Sequence, residues 1–219
     1  MKEFIFIYLL FSIFFVKAQE LEAQSTVGNV ISMNDIFTKH LKISGKEEIT
    51  GNPFLFSNWD NVGVVYSEKK SYSYKKLNYN ILSDDIGTLK SKDSVLIFNK
   101  VKIDSFIVKN KRFRKYHNWF YEVLYQGSKI SLLKKYEVKI VEGMFNPIDG
   151  TKEKSRFKIT DDYYIEKSSG IVKFVPSKKI ISGIFEDEMV MVKKFIKQNR
   201  LSLKKEKDLI DVFQFYNQL

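Results

Sequence analysis

The sequence contains no cysteine and only two histidines. The absence of cysteine excludes disulfide bonds, thiol chemistry and an acyl anchor on a lipobox cysteine. A zinc site normally takes three or four His, Cys or carboxylate ligands, and no spacing in this sequence supplies them. The P-loop, HExxH, EF-hand and GxSxG motifs are also missing. We therefore predict no metal site, no cofactor and no catalytic residue.

Long apolar runs are absent, apart from one at the N-terminus. Lys2 precedes an apolar run, Phe4–Val16, and Val16 and Ala18 occupy the two positions that a signal peptidase inspects. A spanning helix needs about 20 apolar residues, so this run is short for an anchor. We predict a signal peptide over residues 1–18 and a mature chain without a transmembrane helix. The protein is then exported, to the periplasm, the outer membrane or the medium.

Acidic residues are scarce in one part of the chain. The full sequence has 37 basic and 26 acidic residues, but residues 100–158 alone hold 15 basic and 6 acidic ones. Nearly all of the net positive charge therefore lies in that segment. A local excess of this kind predicts contact with anionic material.

The chain divides into three parts after the signal peptide. Residues 19–50 are weakly patterned, and we interpret them as a weakly structured segment with one short helical turn that Ser32 caps and that presents Ile36, Phe37 and Leu41. Residues 51–176 alternate apolar and polar side chains, which is typical of half-buried strands. In residues 177–219 the period changes to about 3.6, which predicts two to three helices packed on the sheet.

Details of the β region give sharper expectations. Val62, Val64 and Tyr66 are predicted to share one face of a half-buried strand. The apolar phase slips across Lys75 and Lys76, which predicts a bulge or a sharp bend there.

Turn signals define how the strands connect. Asp84-Asp85 and Asp161-Asp162 are both interpreted as turns, and residues 142–155 as a long hairpin loop. Most other links are so short that neighbouring strands must be antiparallel. The expected fold is α+β and mainly β, with an antiparallel meander sheet or a partly closed barrel.

The helical part has its own start signals. Ser177 is expected to cap the first helix, Asp187 the second, and Ser202 to begin the third. The third helix should place Leu209 and Phe213, among others, on a core-facing stripe.

Four stretches together resemble a known family. They are GNPFLFSNWDNVGVVY, LNYNILSDDI, WFYEVLYQGSKISLLKKYEVKI and the tail KKFIKQNRLSLKKEKDLIDVFQFYNQL. Their order is similar to that in a family of signal-peptide-bearing envelope or secreted proteins of Bacteroidetes, for which no activity is established. The resemblance covers most of the chain from Gly51 onward. It implies an envelope location and transfers no catalytic residue.

The candidate binding surface is the stretch KNKRFRKYHNWFYEV, residues 109–123. Its five basic residues are the candidate anion-binding surface, and the aromatic residues Phe113, Tyr116 and Trp119 lie among or just after them. On a strand, Arg112 and Arg114 would share one face, while Phe113 and Lys115 would share the other. Nucleic-acid readers combine the same residue types, but export removes the chain from cytoplasmic nucleic acid. A solvated basic strand face without a ligand is the plainer alternative. The five candidate residues are Lys109, Lys111, Arg112, Arg114 and Lys115.

Three functions remain open at this point. The first is a non-enzymatic envelope protein that binds an envelope protein or an anionic envelope glycan or lipid. The second is a carrier that encloses a small ligand in a barrel-like sheet with the helices as a lid. An enzyme is the third, and the sequence offers least for it, so we predict a protein that is not an enzyme.

Overall fold

The computed structural model describes residues 37–42, 49–92, 94–185 and 187–219. The predicted signal peptide, its cleavage site and Ser32 lie outside these residues. Within the described residues the chain forms strands β1 (Phe37–Lys42), β2 (Ile49–Thr50), β3 (Gly63–Ser67), β4 (Lys70–Tyr74), β5 (Leu77–Asn80), β6 (Asp85–Ser91), β7 (Ser94–Phe98), β8 (Ser105–Val108), β9 (Lys111–Tyr116), β10 (Trp119–Tyr125), β11 (Ser131–Val141), β12 (Ser155–Lys167) and β13 (Gly170–Phe174). Helices α1 (Lys178–Ile184), α2 (Met189–Gln198) and α3 (Glu206–Gln218) follow.

The strands form one large sheet and one small sheet. The large sheet has the order β13-β12-β11-β10-β9-β8-β3-β4, and β2 pairs in parallel with the start of β12. The small sheet has the order β1-β7-β6-β5 and is antiparallel. β8 to β13 are neighbours both in sequence and in space, so the predicted meander is confirmed. The predicted mainly β, α+β class is confirmed too, and β4 and β13 are open edges in the described part of the large sheet.

The N-terminal helical turn is a wrong prediction. Residues 37–42 form β1, which pairs antiparallel with β7 at the edge of the small sheet. A helix would satisfy these backbone groups locally, whereas the free edge of β7 offers partners that local sequence does not show. Tertiary pairing therefore outweighs the weak helical signal.

The predicted change of direction at Lys75 and Lys76 is confirmed. These two residues form a bend between β4, in the large sheet, and β5, in the small sheet. The slip in apolar phase marks the point where the chain leaves one sheet and enters the other. Leu77 and Tyr79, just after the bend, are fully buried.

The face that Val62, Val64 and Tyr66 share is not the core face of β3. Val65 is fully buried, whereas Val62 and Tyr66 are exposed. The β3 residues that face the core begin at Gly63, where a Cβ would lie 2.4 Å from the Ile107 carbonyl oxygen. The backbone of β8 therefore approaches β3 so closely at this point that only glycine fits on the inward face.

One of the two predicted acidic turns is also wrong. Asp161 and Asp162 lie in the middle of β12, opposite Tyr136 and Lys135 of β11. The partner strand β11 continues past this position, so the hydrogen bonds between β11 and β12 continue as well and no turn forms. In the other pair, Asp84 lies in a turn as predicted, with a positive φ of 52°, and Asp85 begins β6.

One face of the large sheet contacts both hydrophobic cores. The first core lies between the large and small sheets and contains, for example, Tyr79, Phe106 and Phe113. The second lies between the large sheet and the helices and contains Leu132 and Phe213. We call this side of the large sheet the core face, and the opposite side the outer face. The sheets and the helices belong to one compact unit.

The helix starts are confirmed only in part. The Ser177 hydroxyl accepts a hydrogen bond from the Ile180 amide and caps α1 as predicted. Asp187 does not cap α2, because its carboxylate accepts from the Tyr216 hydroxyl instead. The third helix begins at Glu206 and not at Ser202. Its predicted core stripe is confirmed, since Leu209, Val212, Phe213 and Tyr216 are buried.

The described helices are short. Among the residues that the structure describes, none is both long and apolar enough to cross a membrane.

The close approach at Gly63 gives a stability test. We expect Gly63→Ala to lower the free energy of unfolding by about 2 kcal/mol or more, because its Cβ would meet backbone that cannot move away. Gly183→Ala is the matched control, since nothing lies within 4 Å of its Cβ position in α1. It should stabilise the protein by about 0.5–1 kcal/mol. Denaturant unfolding measures both, and equal effects of the two changes would contradict the assigned packing of β3 on β8.

Candidate anion-binding site

Strand β9 divides the predicted basic residues between two faces. Phe113 is fully buried in the first core and pairs with Phe106 on one side and Glu122 on the other. Because side chains alternate along a strand, Lys111 and Lys115 share the core face with Phe113. Arg112 and Arg114 lie on the outer face. The five predicted residues therefore do not form one surface.

Lys111 belongs to a buried polar cluster. Its ammonium lies 2.7 Å from Glu122 Oε1 and donates to the Tyr136 hydroxyl oxygen at 3.0 Å. The Tyr136 hydroxyl in turn donates to Glu122 Oε2 at 2.6 Å. Burial, followed by the bond to Glu122, raises the pKa of Tyr136 and keeps its proton in place. Lys111 therefore compensates a carboxylate that is only 5% exposed.

The other two lysines also contact the protein itself. Lys115 donates to the backbone oxygens of Lys100 and Val101, at 3.0 and 2.8 Å, and so holds the short 3-10 turn before β8. The Lys109 ammonium lies 4.5 Å from the ring centroid of Phe56. These contacts leave the two arginines as the members of the predicted set that face outward from β9.

The large sheet curls, and the Arg114 side chain reaches across its outer face to β12. Its guanidinium forms an ion pair with Glu166 of β12, although β9 and β12 would lie about 14 Å apart in a flat sheet. Two further contacts cross the outer face in the same way. The rings of Tyr121 and Tyr164 meet at 5.1 Å, and the Tyr116 hydroxyl lies 3.5 Å from the Cβ position of Gly170.

Arg112 and Arg114 line a cleft of about 420 Å³ on the outer face. The other lining side chains come from β3, β8 and β10 or from the residues next to them. Asp104 is one of them, and its carboxylate accepts a hydrogen bond from the Glu68 amide at 3.1 Å. The remaining lining residues are Tyr66, Ser105, Ile107, Val123 and Gln126.

The cleft combines several kinds of recognition group. The arginines supply donors in a fixed planar geometry that matches a carboxylate. Asp104, Ser105 and Gln126 add acceptors and donors suited to hydroxyl groups. The half-exposed ring of Tyr66 adds an apolar surface. Such a set suits a polar, hydroxylated anion better than a purely apolar ligand.

Sequence reasoning identified the two arginines but missed their neighbours in the cleft. Tyr66 was grouped with Val62 and Val64 on one face of a strand, but that alternation does not show which other residues border this face. Asp104 and Gln126 lie outside the strands, and no local signal brings them to β9. Only the pairing of β3, β8 and β10 around β9 places them together.

Asp84 and His117 occupy positions that the fold itself explains. Asp84 is buried, and it accepts hydrogen bonds from the Tyr79 hydroxyl and the Lys100 ammonium. Burial raises the pKa of Asp84, while these two partners oppose the rise. His117 lies at a turn with a φ of 51°. Among the residues that the structure describes, no group of three or more His, Cys, Asp or Glu residues could hold a metal ion.

Comparison with known proteins adds no relative. No protein-family model matches the chain, and neither a curated protein nor a solved structure matches it significantly.

Neighbouring residues of β9 give a direct test of the division between faces. We expect Lys111→Met to lower the free energy of unfolding by about 1–3 kcal/mol, because the buried Glu122 carboxylate loses one of its partners. Arg112→Met, one residue away on the outer face, should change it by less than about 0.5 kcal/mol. Urea unfolding of both variants checks this, and a larger loss for Arg112→Met would refute the assignment of faces.

Proposed function

We propose that this protein is an exported, non-enzymatic binding protein of the cell envelope whose ligand is an acidic glycan. The observation that carries the proposal is the position of Arg112 and Arg114 in one cleft with hydroxyl, amide and carboxylate side chains. A uronic-acid sugar presents the matching groups, namely a planar carboxylate, several hydroxyls and an apolar ring face.

Preorganisation supports this proposal. The Glu166 carboxylate holds the Arg114 guanidinium in place before any ligand arrives, so less side-chain entropy is lost on binding. Arg112 is exposed and, within the described residues, has no ion pair. One arginine is therefore fixed and the other is available, which suits capture of a carboxylate at an accessible surface.

Export supports the choice of ligand class. The apolar leader and the resemblance to envelope proteins favour a location outside the cytoplasm, where acidic glycans occur and cytoplasmic nucleic acid does not. The periplasm, the outer membrane and the medium all fit this proposal.

The carrier alternative receives less support from the packing. A carrier of that design needs an apolar space inside the curled sheet. Between the large and small sheets the space is instead filled with aromatic side chains, such as the stacked rings of Phe106 and Phe113, 4.6 Å apart. The surface cleft is therefore the better candidate for a ligand.

The test uses protein purified after expression of the full chain, whose N-terminus should be Gln19 if export proceeds as proposed. Calorimetric titration with oligogalacturonate should show saturable binding, and a neutral glucan of equal length should not bind. Binding should weaken strongly between 0.1 and 1 M salt, because the screening length falls from about 10 to about 3 Å.

Two charge reversals separate the cleft from general charge attraction. Arg112→Glu should weaken oligogalacturonate binding by about tenfold or more, because the change removes an attraction and adds a repulsion. Arg156→Glu, an exposed arginine of β12 that does not line the cleft, alters the net charge equally and should have less than about twofold effect. Equal losses in both variants, or no binding by the unchanged protein, would sink the proposal.

A further inference from the structure

A second cleft lies between the first two helices and is distinct from the arginine cleft. Its volume is about 520 Å³, within the range of small-molecule sites. Its floor is apolar and consists of Ile181 from α1, Met189, Val192 and Ile196 from α2, and Leu201 beyond it. We call this cleft the helix groove.

Helical spacing explains both the floor and the rim of the groove. Met189, Val192 and Ile196 are three and four residues apart, so they form one stripe along α2. Lys193 and Lys197 directly follow Val192 and Ile196, and Arg200 lies three residues after Lys197. These basic side chains therefore lie beside the apolar stripe. Lys178 of α1 completes the basic rim.

The four cations of the rim have no partner among the residues that the structure describes. Within the described residues, none of them forms an ion pair, and none donates a side-chain hydrogen bond. No described acidic side chain lines the groove. This contrasts with Lys111, Lys115 and Lys134, each of which is bonded within the protein. Four like charges around an apolar floor favour a ligand that is both apolar and anionic.

We propose that the helix groove binds a free single-chain amphiphile with an anionic head, of the fatty-acid type. The chain would lie on the floor between Ile181 and Ile196, and the carboxylate would meet the lysines and Arg200 at the rim. The dimensions favour a single chain over a docked helix. α1 has seven residues and is about 10 Å long, which is too short to seat a helical partner.

This inference is independent of the proposed glycan function. It depends on α1 and α2, whereas the glycan cleft lies on the outer face of the large sheet. The two sites can therefore be tested and rejected separately.

The probe is dodecanoate below its micellar concentration, titrated into protein purified after expression of the full chain. We expect saturable binding at one site. Dodecyltrimethylammonium has the same chain with a cationic head and should bind at least about tenfold more weakly, because the rim repels it. Octanoate should also bind at least about tenfold more weakly, because four methylenes leave the floor.

Neighbouring lysines provide a matched pair of variants. Lys178→Glu with Lys193→Glu reverses two charges of the rim and should weaken dodecanoate binding by about tenfold or more. Lys179→Glu with Lys194→Glu reverses the next residue on each helix, outside the groove, and should change it by less than about twofold. All four lysines are exposed, so both variants are expected to fold, which circular dichroism checks.

Three results would overturn the proposal: no saturable binding of dodecanoate, equal affinity for octanoate and dodecanoate, or equal losses in the two double variants. Arg112→Glu should leave dodecanoate binding unchanged. A loss in that variant would assign the amphiphile to the arginine cleft and would also reject the helix groove.

Discussion

The alternation of side chains across the large sheet decides what each basic residue can do. Its core face contacts both the small sheet and the three helices, and the β9 side chains on that face are buried or hydrogen-bonded within the protein. Lys111 and Lys115 lie on this face and serve the fold. Arg112 and Arg114, which lie between them in sequence, point to the outer face, where we propose that they contact a ligand. β9 thus separates lysines that are bonded on the core face from arginines that lie on the outer face.

The two cores meet at a polar seam. Glu122 and Lys134 are only 5% and 7% exposed, and Glu206 of α3 reaches Lys134 from the helix side. Tyr136 borders the seam from the first core and Tyr163 from the second. Buried ions are costly unless they are paired and hydrogen-bonded, and here each has several partners. The seam therefore fixes the position of the helices on the sheet. It also pairs lysines with carboxylates inside the protein, so these charges do not add to the basic surface.

The sequence reveals the elements more readily than their faces. Period two and short links predict the meander, the phase slip predicts the bend at Lys75 and Lys76, and Ser177 predicts the start of α1, because each depends on nearby residues. The inward face of β3 depends on the distant backbone of β8 against Gly63. β12 runs through Asp161 because its partner β11 continues. The same limit applies to the cleft, since strand pairing alone brings Tyr66 and Asp104 to the arginines.

The most direct test of this division of charge is an NMR titration of the protein with oligogalacturonate, observing arginine Nε–Hε and lysine side-chain resonances. The account predicts saturable shifts at Arg112 and Arg114, with Lys111 and Lys115 unaffected. Shifts spread evenly over the exposed lysines, or confined to residues far from β9, would contradict it.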